Sequence, residues 1–232
     1  MGRFSSDTIE ANPVSNNGIA SYSTNQYKPQ GGMSQGPTEE QMRLQEMQAS
    51  WPQVFPKSII GLDRDGVINF DRGHYLTKIE EWEPIPGSLE AIRMMRLKGY
   101  KVVLIMDEAG KTQNQVDAKN QQMMSDFGNA GIMSIETMYY SVGTEKSDIY
   151  VKPSTGMFKR CEQENPHIKF KGGWYVGRNV NDAKVAFKVN AKCALINPSE
   201  EELKKLNSFS NQKVKKRTRI FQSLQEFEKT LK

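Results

Sequence analysis

The sequence predicts an α/β protein: a parallel sheet with helices on both faces. Two observations predict it. Short apolar runs such as Ile59-Ile60-Gly61-Leu62 and Val102-Val103-Leu104-Ile105 recur along the chain, separated by stretches of helical period. These runs are apolar at consecutive positions, as strands buried on both faces are.

Residues 1–37 are rich in Ser, Asn, Gln, Gly and Pro and carry no apolar period. Such a stretch buries too little surface to offset backbone ordering, so it reads as a low-complexity extended tail, disordered on its own. Residues 38–56 read as a short helix and a Pro-rich linker. Thr38 and Gln41 make a capping box, Leu44, Met47 and Trp51 form one narrow apolar stripe, and Pro52 and Pro56 end it. The regular alternation then occupies 57–232. Strands are expected at 58–62, 101–106, 135–141, 174–177 and 193–196. Helices are expected at 87–98, 112–129, 155–164, 181–189 and 199–206, with a last amphipathic helix over 221–231.

Composition excludes several classes. No run approaches the roughly 20 apolar residues a bilayer crossing needs, and the first residues lack a signal peptide's apolar core. Two cysteines, Cys161 and Cys193, make neither a disulfide framework nor a four-cysteine zinc site, which suits the cytoplasm or another reducing compartment. The net charge of +5 is unevenly spread. Residues 204–232 hold nine Lys or Arg against two Glu, so they carry +7 and the remainder carries −2. The basic cluster from Lys213 to Arg219 lacks aromatic interleaving and any nucleic-acid motif, so it reads as a solvated edge segment leading into the last helix. Docking on an acidic protein surface suits it better than nucleic acid. His74 and His167 stand alone and read as structural, and both cysteines read as buried thiols.

Ligand chemistry in a parallel sheet gathers at the carboxyl ends of its strands. The first strand runs into Leu62-Asp63-Arg64-Asp65-Gly66-Val67-Ile68-Asn69. Two carboxylates one residue apart, on a turn leaving a buried strand, suit a nucleophile paired with an acid/base. This segment resembles the first motif of the haloacid dehalogenase (HAD) superfamily, within it the heptose-bisphosphate and histidinol phosphatase branch. The likeness continues through Pro84-Ile85-Pro86-Gly87, Lys98-Gly99-Tyr100, Lys152-Pro153 with Gly156-Met157, and Tyr175-Val176-Gly177 with Asp182. It spans about 57–230. The resemblance implies a HAD-like fold with a minimal cap. It makes Asp63 the nucleophile that forms a phosphoaspartate, Asp65 the general acid/base, and Lys152 the cation facing nucleophile and phosphate. It further implies a Mg2+ site drawing on Asp63, Asp65 and Asp182.

The sequence departs from that pattern at two motifs. The second strand ends in Met106-Asp107-Glu108, where the branch has Thr-Asn-Gln, and Met106 cannot donate a hydrogen bond. The magnesium-ligating Asp of the fourth motif is Arg178, and a guanidinium cannot ligate a cation. The branch's zinc-binding loop has no Cys or His counterpart in 141–151, so no zinc is expected. Two readings follow. In the first, the metal site is degenerate, Arg178 bridges Asp63 or Asp107, no cofactor is held, and the domain is a structural or interaction component of a larger assembly anchored by its tail. In the second, the chain is an active Mg2+-dependent phosphatase of a small phosphorylated metabolite of the sugar phosphate type, with Asp107 or Asp182 supplying the missing ligand. Two losses together favour the first.

Overall fold

The computed structural model describes residues 19–22, 57–71, 82–108, 111–132, 135–142 and 148–232. The expected helix with Thr38, Leu44 and Trp51, most of the expected tail, and His74 lie outside the described residues. The elements, in chain order, are β1 (Ile19–Tyr22), β2 (Lys57–Leu62), α1 (Ser88–Leu97), β3 (Tyr100–Asp107), α2 (Gln113–Asn129), β4 (Thr137–Ser141), α3 (Gly156–Glu164), β5 (Trp174–Gly177), α4 (Val180–Lys188), β6 (Lys192–Ile196), α5 (Glu200–Ser208), α6 (Gln212–Arg217), β7 (Thr218–Phe221) and α7 (Leu224–Lys229).

The strands form one sheet in the order β1-β4-β3-β2-β5-β6-β7. Strands β2 to β7 run parallel, as expected, and β1 joins the edge antiparallel, pairing Ile19 with Ser141 and Tyr22 with Met138. The strand β1 falls inside the stretch expected to be an unstructured tail. Its four residues meet the unpaired side of β4, where backbone pairing needs no apolar period.

The consecutive apolar runs are explained by two cores, one on each face of the sheet. Ile60, Leu62, Val102, Leu104 and Met106 belong to one buried cluster with Ile92, Met123 and Phe227. Ile59, Val103 and Ile105 belong to the other, with Phe158, Phe170, Tyr175 and Val185. Successive strand side chains point to opposite faces, so both must be apolar. Each fully buried Leu, Ile, Val or Phe contributes about 1.5–3 kcal/mol.

The end of the chain corrects part of the expectation. Lys213 to Arg219 is a largely exposed edge segment, as expected, but it is ordered as a short helix and a strand, and the last helix begins at Leu224 and not at Phe221. Val214 is buried under the short α6, and Thr218–Phe221 adds a sixth parallel strand beside β6. Only Phe221 of that strand is buried, because it lies at the sheet's edge. No helix among the described residues is long and apolar enough to cross a membrane.

The chain leaves β2 towards β3 and β4 on one side, then returns to build β5, β6 and β7 on the other. That reversal opens a crevice outside the carboxyl ends of β2 and β5.

Candidate active site

The Asp63 backbone N–H extends the β2–β5 ladder by one bond, donating to the Val176 carbonyl at 2.8 Å. The chain then turns tightly. The N–H groups of Val67, Ile68 and Asn69 converge on the Arg64 carbonyl, and that of Gly66 donates to the Asn69 carbonyl at 2.8 Å. Gly66 takes φ 76°, a left-handed conformation that side-chain-bearing residues rarely adopt. This turn aims Asp63 and Asp65 into different surroundings.

Asp63 faces Lys152, whose ammonium contacts its Oδ2, lies 2.9 Å from Asp182 Oδ1 and donates to the Tyr175 hydroxyl at 3.2 Å. Tyr175 is held in turn by donating to the Ile105 carbonyl at 2.9 Å. The Lys152 backbone N–H donates to Asp107 Oδ2 at 3.3 Å. Asp182 is placed by helix geometry. It is the third residue of α4, in a capping box with Asn179, and its Oδ2 accepts from the N–H groups of Arg178 (2.8 Å) and Asn179 (2.9 Å). Its negative charge suits the positive end of the helix. The close approach requires Gly177, where an added Cβ would come within 2.5 Å of Asp182 Oδ2.

Two carboxylates therefore share one ammonium in a dry place. Burial pushes the Asp63 carboxyl up to about 7; Lys152 opposes the rise only in part, and Asp182 adds to it. Lys152 is desolvated too, yet Asp182 and Asp63 hold it charged, well above its ordinary value.

Asp65 sits in a cage of cations. Its Oδ1 accepts from Arg64 Nε at 3.1 Å and Lys119 Nζ at 2.8 Å, and Lys111 Nζ lies 3.4 Å from Oδ2. Burial would raise its pKa, but Arg64, Lys119 and Lys111 outweigh that and hold it far below the usual carboxylate range. The fully buried Arg64 also pairs with Glu108 and donates to Asn120 Oδ1 at 2.9 Å, and Lys111 reaches the same Glu108. Desolvation, with Arg64 adding repulsion, lowers Lys119 to about 8 against the pull of Asp65.

Of the sequence-predicted residues, the structure brings Asp63, Lys152 and Asp182 into contact and sets Asp107 beside Lys152. Met106 is buried in the core with Leu62 and Ile68. Arg178 bridges neither Asp63 nor Asp107. Its side chain lies across Gly66, where an added Cβ would be 2.8 Å from Nη1, and that Nη1 donates to Asp71 Oδ2 at 2.9 Å. Lys111, Lys119, Tyr175 and Asp71 are site residues that sequence reasoning missed. The one available signal was Lys111 immediately before the capping box Thr112–Gln115, with Lys119 two helical turns on.

The carboxylates face cations and backbone N–H groups and do not converge on one another. Both Asp182 oxygens are engaged by Lys152 and two backbone N–H groups, and Asp65 by three cations. Among the described residues no three His, Cys, Asp or Glu are placed to share an ion.

No protein-family model matches the chain. It is 30% identical over 146 residues to the D-glycero-beta-D-manno-heptose-1,7-bisphosphate 7-phosphatase of Pseudomonas putida, covering 61% of this chain and 83% of that protein. It is 25% identical over 180 residues to the enzyme of the same name from Neisseria meningitidis serogroup A, covering 73% and 91%. The structure of D,D-heptose 1,7-bisphosphate phosphatase from B. bronchiseptica, complexed with magnesium and phosphate, superposes with a TM-score of 0.66 at 21% identity, over 75% of this chain and 97% of that one. The fold, the strand-end carboxylates and these relatives agree: the chain belongs to the HAD superfamily, in its heptose-1,7-bisphosphate phosphatase-like branch.

Proposed function

We propose that this chain is a phosphohydrolase of a small phosphorylated metabolite of the sugar phosphate type, acting through a phosphoaspartate on Asp63. The observation that carries this reading is the buried Asp63–Lys152–Asp182 contact at the carboxyl end of the central strand. An Asp63 oxygen attacks phosphorus as the bond to the leaving oxygen breaks, and the Lys152 ammonium neutralises the charge that gathers there. Water then attacks the acyl phosphate and frees Asp63. Asp65, held ionised by its cations, accepts a hydrogen bond from that water and orients it, and the lysine that has given its proton to the leaving oxygen takes the water's proton. The ammonium groups of Lys111 and Lys119 are the proton donors at hand for the leaving oxygen. The heptose-bisphosphate relatives support a sugar phosphate as substrate. The two free, buried cysteines accord with a reducing compartment.

Hydrolysis of an aryl phosphate by the purified chain, beside Asp63→Asn, tests the reading. Turnover that the substitution abolishes is expected; turnover that survives it would contradict the role of Asp63.

One observation favours a second reading. Arg178 stands where the resemblance puts a carboxylate, and removing a metal site costs rate. In this reading the domain is non-catalytic and works within an assembly, through its N-terminal tail and the docking of 204–232 on an acidic surface. Absence of any turnover, with the fold intact, is what it requires.

A further inference from the structure

We propose that this site binds a phosphate group without a divalent ion, the positive charge being supplied by Lys111 and Lys119 of α2 and its approach, backed by Arg64. The proposal deepens the phosphohydrolase reading and rests on it for the site's purpose.

Among the described residues, Arg64, Lys111 and Lys119 form ion pairs with Asp65 and Glu108, three cations against two anions, so this half of the site has a surplus of +1. The other half, Asp63, Asp107 and Asp182 around Lys152, has a surplus of negative charge. A dianionic phosphate drawn to the site is therefore attracted to the α2 side.

Position agrees with charge. Asp65 is two residues from the nucleophile, and its side chain keeps 29% of its surface open, whereas Lys111 and Lys119 keep 8% and 6%. The opening into this cluster is thus at the carboxylate the two ammonium groups share. Arg64 is fully buried and is bound to both Asp65 and Glu108. When the lysines turn to an incoming phosphate, both carboxylates keep a guanidinium partner, so neither is left as an unpaired buried charge. Lysine and arginine side chains clamping a phosphoryl group are a recurrent way to stabilise the charge on its oxygens.

Arg178 completes the case against the metal. Its side chain lies on the Gly66 turn and is tied to Asp71, so the position where the resemblance puts a magnesium-ligating carboxylate holds a guanidinium, which cannot ligate a cation.

Calorimetric titration of the full chain with inorganic phosphate, once in EDTA and once in excess magnesium, tests this. The expected result is one site of equal affinity in both conditions, weakened about tenfold or more when Lys111→Met and Lys119→Met are combined. Lys111→Gln alone, weakening binding by less, serves if the double variant does not hold its fold. Magnesium alone should give no heat of binding with the native chain and should bind Arg178→Asp. Phosphate binding that requires magnesium would overturn the metal-free site while leaving the phosphohydrolase reading in place. Equal affinity in the lysine variants would overturn the role of α2. No phosphate binding in either condition would overturn both.

Discussion

At the scale of residues, the centre of the molecule is an arithmetic of buried charge. Asp63 and Asp182 share Lys152, and removing either side of that relation has opposite consequences. Lys152→Met leaves two carboxylates together in a dry place, and an uncompensated buried charge costs about 3–5 kcal/mol. Denaturant unfolding of that variant should show a loss of this size, along with loss of turnover. Asp63→Asn does the reverse, leaving Lys152 and Asp182 matched one to one. The folded-state pKa of Asp63, about 7, lies above its ordinary 3.8, so between these values the folded chain holds a proton that the unfolded chain has released. This group's contribution to stability is complete below about pH 4 and lost as pH rises towards 7. Melting curves of Asp63→Asn should therefore fall less between pH 5 and 7 than those of the native chain (a range set by that shift). A parallel fall in both would show that Asp63 is not the group responsible.

At the scale of elements, what could be read from sequence depended on how many side chains each element buries. Strands β2 and β3 and helix α1 were legible because Ile59 to Leu62, Val102 to Met106 and Ala91, Ile92 and Met95 are buried in runs of clear period. The strand β7 was not. It buries Phe221 alone, Arg219 and Ile220 are exposed, and the run of cations before it conceals Val214, the one inward residue of α6. Phe221 meets Phe227 edge-on with ring centroids 5.4 Å apart, closing the core under α7. Phe221→Ala should cost about 3–5 kcal/mol in chemical denaturation, far more than an exposed edge residue would. The site divided in the same way. Asp63, Lys152 and Asp182 announce themselves by motif, whereas Lys111 and Lys119 look like any polar face of a helix until the fold carries α2 against Asp65. The Arg178 substitution was visible in sequence but its partner was not, because Asp71 reaches it only across the turn at Gly66.

At the scale of the whole molecule, the topology explains why the chemistry lies where it does. The sheet grows outward from β2 in both directions, so the two chain segments leaving β2 and β5 part at the crevice, and Asp63 and Asp182 meet there. The basic residues of 204–232 lie elsewhere, on α5, α6 and the edge strand β7 and on α7, which packs against α1 over one face of the sheet. The net charge of +5 therefore describes the end of the chain and not the site, where Asp63, Asp65, Asp107, Glu108 and Asp182 gather. The proposed function makes one claim above the others: the phosphoryl group passes through Asp63. Reaction of the chain with an aryl phosphate, quenched during turnover and reduced with borohydride, followed by peptide mass spectrometry, tests it most directly. Conversion of residue 63 to homoserine, in EDTA as in magnesium, is the result predicted; turnover that leaves Asp63 unreduced, or no turnover at all, would contradict it.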